Sequence, residues 1–335
     1  YNGQFADKLN ITPFLDYYYN EEGNQIINLV QNANCDVDCS EKEWKRVYEI
    51  QLKRLELQCA ELIPTFHKMK AKTYKGIIDN SFELIKNARS LPKQKWIGIQ
   101  DAWIIELFFP LARSYPEAKF IVIFRDPRAS IASNLLVKDK SKIAHVASFA
   151  RAWRKNVAFS LYLRQQKAFK DKLYFVSYEK LVTNLEQEVQ KLCDFLDVNF
   201  STNMLDTNNF IDYSTGKVWE GNSSYENNTQ GISPHRIDRW MNSLHINALS
   251  AVEYICGNEL RLIERERSID TTESSLSKRA LQFFIEDNED CKSWRTDSRF
   301  AEKEFGFEAA RNNILLMEDI IVNDKTIEKF FLFKE

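Results

Sequence analysis

The sequence predicts an α/β fold, a doubly wound parallel sheet flanked by helices and followed by a helical C-terminal extension. Three observations predict it. From Trp96 to Ser177, apolar runs of strand length alternate with amphipathic stretches of helix length. Within that region residues 119–124 read KFIVIF, the continuous β-branched and aromatic run of a parallel strand covered on both faces. Finally, 335 residues with 44% hydrophobic content are enough for a sizeable packed core.

Taken in order, residues 1–40 are rich in Asn and Tyr, lack a clear period and receive no assignment. A helical pattern runs over 41–69, with Ser40 as N-cap, Glu43 three positions on, and Val47, Ile50, Leu55, Leu62 and Phe66 at near-helical spacing. Pro64 is expected to kink or end it. A short strand over 96–100, a helix over 103–113, a turn at Ser114-Tyr115-Pro116 and the strand 119–124 make a βαβ unit. Helices follow over 128–137 and 145–169, then a strand at 173–176. The helix over 187–196 places Val189, Leu192, Cys193 and Leu196 on one face. Residues 199–235 are polar and Asn-rich and read as a long surface loop. Helix returns over 247–264. Beyond Thr271 charged stretches enclose apolar helical pieces at 281–285 and 314–322. The expected division is 1–95 as an N-terminal helical and loop region, 96–265 as the α/β core, and 266–335 as an extension packed on it.

Charge excludes some partners. A formal net charge of -2 and a pI near 6.2 give no global electrostatic case for nucleic acid or an anionic membrane, so an anion site has to be local. No apolar run approaches the roughly 20 residues that span a bilayer, and the most hydrophobic window, 102–112, contains Glu106. The chain opens at Tyr1 without a basic and apolar leader, and any targeting segment is expected outside it. A cytoplasmic location is expected, with the Golgi lumen or secretion as the alternative. In that alternative the sequons at Asn10, Asn199, Asn222 and Asn227 would matter. Six scattered cysteines do not form a disulfide framework. Only Cys35 and Cys39 are close in sequence, as a bridge in an oxidising compartment or as free thiols. No C-x2-C pair suggests zinc, and no metal is expected.

Ligands of open α/β sheets bind beyond the carboxyl ends of the strands, which directs attention to Arg125-Asp126-Pro127-Arg128 and the helix after it. Asp126 suits an N-cap and Pro127 a first helical turn, placing a positive helix end at the sheet edge. Arg125 leaves the strand where its guanidinium fork can take two phosphate oxygens. Ser133, eight residues on, offers a hydroxyl from the same helix. The alternative is that Arg125 pairs with a carboxylate and Ser133 only packs.

The segment EAKFIVIFRDPRASIASNLL resembles the 3'-phosphate-binding motif of sulfotransferases that use 3'-phosphoadenosine-5'-phosphosulfate (PAPS): an aliphatic strand, an Arg, a Pro-containing turn, and a Ser eight positions after the Arg. Arg125 and Ser133 match the family's 3'-phosphate ligands. Downstream, LYFVSYEKLVTNLEQEVQKLCDFLDV is similar to the family's strand, Tyr-Glu pair and helix, and puts Tyr178 where the family contacts adenine. The stretch WEGNSSYENNTQGISPHRIDRWMNSL resembles the late loop of bacterial-type members, with Arg236 and Arg239 as candidates for a second grip on the 3'-phosphate or as surface charges. The resemblance covers roughly 96–264. It implies the P-loop-like sulfotransferase fold, PAPS as donor, 3',5'-bisphosphoadenosine (PAP) as product, and a small-molecule or carbohydrate hydroxyl acceptor.

One family element is missing. Members carry an N-terminal loop of a basic residue, Ser or Thr, Gly and Thr-Thr that holds the 5'-phosphosulfate, and no such stretch occurs here. Gly216 and Gly221 have phosphate-loop spacing, but no strand precedes them and Asn222 stands where Lys belongs. The loop is expected before Tyr1. An acceptor hydroxyl also needs a base, which in the family stands near the end of the preceding strand. Asp101 is the first candidate, with an N-cap role as its alternative, and Gln100 is its neighbour on the phosphosulfate. His235 is the second candidate base. Two rival readings are a non-catalytic binding protein on the same fold and a phosphate-loop nucleotide kinase, which would need a magnesium site.

Overall fold

The computed structural model describes residues 32–88, 95–100, 104–135, 146–207, 211–212, 217–218, 232, 234, 237–262 and 308–313. They fall into two compact units, one drawn from 28–118 and 206–220 and the other from 119–205 and 221–335. No helix among the described residues is long and apolar enough to cross a membrane.

In the first unit, helix α1 (Glu41–Gln58) starts at the capping box that the sequence predicts. The Ser40 hydroxyl accepts from the Glu43 N–H at 3.3 Å, and the Glu43 carboxylate accepts from the Ser40 N–H at 3.1 Å. The helix expected over 41–69 breaks at Cys59, ahead of Pro64. A 3-10 turn (Ala60–Leu62) follows, and Pro64 stands in the first turn of α2 (Ile63–Phe66), where its missing N–H costs nothing. Tyr48 of α1 stacks on Phe66 with ring centroids 4.8 Å apart. Helix α3 (Tyr74–Ala88) carries Asp79, which accepts from the Tyr115 hydroxyl at 2.8 Å. Cys35 and Cys39 are free, half-buried thiols. A 3-10 turn (Ile104–Leu107) and α4 (Phe108–Ser114) replace the single helix expected over 103–113.

Residues 96–100 form no strand, contrary to the sequence reading. Ile97 and Ile99 are 38% and 55% exposed and have no ladder partner among the described residues. The five residues WIGIQ are too few to carry a periodicity that separates a strand from an irregular segment, so pairing decides. Within the expected loop 199–235, the described residues include a 3-10 turn (Thr202–Leu205), and two-residue strands β3 (Ile211–Asp212) and β4 (Lys217–Val218) pair antiparallel. The helical pieces expected at 281–285 and 314–322 lie outside the described residues.

The second unit holds the site. Strand β1 (Phe120–Phe124) pairs in parallel with β2 (Leu173–Ser177), Phe120 opposite Leu173 and Phe124 opposite Ser177. Its apolar run predicts burial on both faces, but the described residues cover one: Phe120 and Phe124 are buried, whereas Ile121 and Ile123 are 41% and 58% exposed. Alternate side chains point to opposite faces, so this split follows from what each face meets. Helix α5 (Pro127–Leu135) leaves β1, and α6 (Val146–Gln165) leads back towards β2. Helices α7 (Tyr178–Thr183) and α8 (Leu185–Leu196) follow. A 3-10 turn (Arg239–Asn242) introduces α9 (Ile246–Leu262). Helices α5, α6 and α9 share a core that includes Ile131, Ala150, Val252 and Ile255, each at most 1% exposed. Packing of α9 against α6 depends on small residues: Ala150 and Ala251 are completely buried.

Candidate functional site

The site grows from the turn between β1 and α5. Asp126 caps α5, its carboxylate accepting from the Arg128 N–H at 2.9 Å while its carbonyl accepts from Ser130 N–H at 2.9 Å. Pro127 at the first helical position has no N–H to satisfy. The Asp126 N–H donates to the Glu179 carboxylate at 2.8 Å, and that carboxylate also accepts from the Ser177 hydroxyl at 3.1 Å. Glu179 thereby ties the start of α7 to the turn that follows β1. Asp126 and Glu179 are both buried, so each bond works in a poorly solvated setting.

Arg128 completes the frame. Its guanidinium donates to the Asp126 carboxylate at 2.7 and 3.0 Å and to Glu253 of α9 at 2.7 Å, and it lies 4.1 Å from the Trp240 ring centroid. Burial alone would lower its pKa, but its bonds to Asp126 and Glu253 outweigh that and hold it above the ordinary arginine value. Arg128, Asp126 and Glu253 are at most 3% exposed. The second arginine of the RDPR motif therefore serves the fold.

Arg125 stands differently. It is half-buried, its guanidinium carbon lies 4.8 Å from the Tyr178 ring centroid, and its carbonyl accepts from the Trp153 indole N–H at 2.8 Å. Its Nε is buried and makes no hydrogen bond, and among the described residues no carboxylate pairs with it. A buried cationic donor without a partner is costly unless an anion supplies the missing acceptor. The Tyr178 face attracts the guanidinium without neutralising it. The sequence reading gave anion attraction to the α5 N-terminus, but Asp126 already occupies one of its donors and Pro127 has none. Among the described residues of this turn, Arg125 is thus the cation left to meet an anion.

Ser133 is buried on the second turn of α5. Tyr178 opens α7 directly after β2, beside Arg125. The structure therefore brings Arg125 and Tyr178 into contact, and Ser133 sits on the helix that their turn begins. Arg239 is exposed at the start of its 3-10 turn. Gln100 is exposed in the irregular stretch of the other unit. Asp101, His235 and Arg236 lie outside the described residues. Of the other histidines, His67 bonds the Tyr48 hydroxyl and His245 accepts from Asn247 N–H at 3.3 Å. Among the described residues no group of three or more His, Cys, Asp or Glu is placed to hold a metal.

Sequence reasoning did not single out Arg128, Glu179 or Glu253. For Glu179 the signal was its place beside Tyr178 at a strand end. Glu253 gave none, lying 125 residues from its partner.

Comparison with known proteins agrees with this geometry. The profile described as "Sulfotransferase family" matches residues 21–202, more than half of the chain. A Caenorhabditis briggsae protein named as a candidate protein-tyrosine sulfotransferase is 31% identical over 100 residues. That match spans 28% of this chain and 34% of the relative, so this chain covers about a third of that protein's length. With the profile running through both β1–Arg125 and β2–Tyr178, the chain belongs to the sulfotransferase family.

Proposed function

We propose that the protein transfers a sulfuryl group from PAPS to a hydroxyl acceptor, and that Arg125 holds the 3'-phosphate of the nucleotide. One observation carries this reading: the guanidinium of Arg125, at a strand end, is stacked on Tyr178, has a buried Nε without an acceptor, and is not neutralised by a carboxylate among the described residues. A phosphate oxygen supplies what that donor lacks. In this reading Ser133 adds a hydroxyl to the same phosphate, Tyr178 offers its ring to adenine, and Arg236 and Arg239 give a second grip. The sheet is proposed to be the P-loop-like, doubly wound kind, with 96–265 as its core.

Bound PAPS would supply the activated sulfuryl group: in-line attack of the acceptor oxygen on sulfur would form the new O–S bond as the bond to the 5'-phosphate oxygen breaks and PAP leaves. The chain's part is to fix the nucleotide by its 3'-phosphate, the role proposed for Arg125, and to take the acceptor proton, for which Asp101 is the first candidate and His235 the second. Acceptor choice is assigned to 1–95 and 199–235. The name of the C. briggsae relative favours a phenolic hydroxyl such as that of tyrosine.

The second reading is a non-catalytic binding protein on this fold. Incubation with sulfur-35-labelled PAPS and a panel of phenolic, sugar and alcohol acceptors separates the two. Transfer of label supports the enzyme; PAP binding without transfer supports the binding protein. If the melting temperature responds equally to PAP and to AMP, the 3'-phosphate reading is wrong.

A further inference from the structure

Helices α6 and α9 each carry a residue that holds the 125–128 turn and a charged residue that pairs with the helical stretch 308–313. On α6, Trp153 donates to the Arg125 carbonyl, and its neighbour Arg154 pairs with Glu308 at 2.7 Å. On α9, Glu253 pairs with Arg128, and Glu259 pairs with Arg311. Asn312 adds a bond from its amide to the Tyr254 carbonyl at 3.1 Å and another at 3.3 Å with Asn258, both on α9. Arg154, Glu259, Glu308 and Arg311 are at most 1% exposed. Two arginines and two glutamates thus balance in charge within a dry interface.

We infer that Glu308 and Arg311 are positioning residues for the Arg125 anion site, acting through the α6–α9 pair. The inference rests on the nucleotide reading above. Buried ion pairs are poor sources of net stability but strong determinants of alignment, because removing one partner strands the other charge. Here the charges fix how far α6 and α9 slide along each other. That setting decides where the Trp153 indole and the Glu253 carboxylate meet the turn. Because the four charges span both helices, the 308–313 stretch acts as a latch whose register is transmitted to Arg125.

Reciprocity gives the test, since a latch that favours the binding-competent site must itself be favoured by binding. Hydrogen exchange on the whole chain with saturating PAP is expected to slow amide exchange in 125–133 and also in 308–313. Glu308→Gln, held at a temperature where its circular dichroism matches the parent, is expected to weaken PAP about tenfold while changing AMP affinity less than about twofold. Glu308→Asp, which keeps the charge, is expected to stay within about threefold of the parent for PAP.

A folded Glu308→Gln protein that binds PAP like the parent would overturn the inference. So would PAP protection of 125–133 without any change in 308–313, a measurement on the parent that stands even where Glu308→Gln does not fold. Absence of PAP protection at 125–133 would instead sink the nucleotide reading, and this inference with it.

Discussion

Two arginines three positions apart in RDPR are expected to fail in opposite ways when replaced. Arg128→Met removes the cation that faces two buried carboxylates, Asp126 and Glu253, and leaves both without it in a region that is at most 3% exposed. Breaking one buried pair by removing a partner costs about 3–5 kcal/mol, and the lost stacking on Trp240 adds roughly 0.5–2. Set against a typical stability of about 5–15 kcal/mol, that is a severe loss. Arg125→Met removes a guanidinium whose only described side-chain contact is the Tyr178 ring. Losing that contact costs about 0.5–1 kcal/mol, while relieving the unpartnered Nε returns roughly 1–3, so the net change runs from about zero to about 2.5 kcal/mol of stabilisation. Urea unfolding followed by tryptophan fluorescence reads both, since Trp153 and Trp240 adjoin the turn. With a slope of about 2–3 kcal/mol/M, the Arg128→Met midpoint falls by at least about 1 M and the Arg125→Met midpoint holds or rises by up to about 1 M. Equal losses in the two variants would refute the division of labour between them.

Three further outcomes follow from the same contacts. Tyr178→Phe keeps the aromatic face and is expected to hold PAP within about threefold, whereas Tyr178→Leu loses it and weakens PAP about 3- to 30-fold by calorimetry. Glu179→Ala leaves the buried Asp126 N–H without its acceptor and is expected to cost about 1–3 kcal/mol in urea unfolding, with Glu179→Gln milder. In the other unit, burial first and then the bond to Glu43 push the Tyr74 hydroxyl up to about 12. Its proton is held more tightly folded than unfolded, so its stabilisation is intact below pH 10 and is lost as pH rises towards 12. Tyr74→Phe should flatten the fall of melting temperature in that window, and an unchanged slope would count against the buried-hydroxyl account.

Legibility in the sequence followed locality. The FIVIF strand, the Asp-Pro helix start and the Ser40–Glu43 capping box were readable because each is set by residues within about four positions of one another. The family came from the resemblance of two motifs met in order along the chain, one around Arg125 and Ser133 and one around Tyr178. What escaped depends on distant partners. Arg128 reads as an ordinary basic residue in a first helical turn until Glu253, 125 positions later, meets it. The exposure of Ile121 and Ile123 cannot be foreseen from an apolar run, which records capacity for burial and not the presence of a cover. For the same reason 96–100 looked like a strand, although no neighbour pairs with it among the described residues. Charged residues such as Arg154, Glu259, Glu308 and Arg311 ordinarily stay in solvent, and only mutual pairing allows them inside.

Titration calorimetry of PAP and AMP into the parent chain and Arg125→Ala tests the central claim most directly. One charge-assisted contact is worth about 1.5–3 kcal/mol, so PAP is predicted to bind the parent about 10- to 100-fold more tightly than AMP, and Arg125→Ala is predicted to erase most of that ratio. A parent that does not distinguish the two nucleotides, or an Arg125→Ala protein that still does, would contradict it.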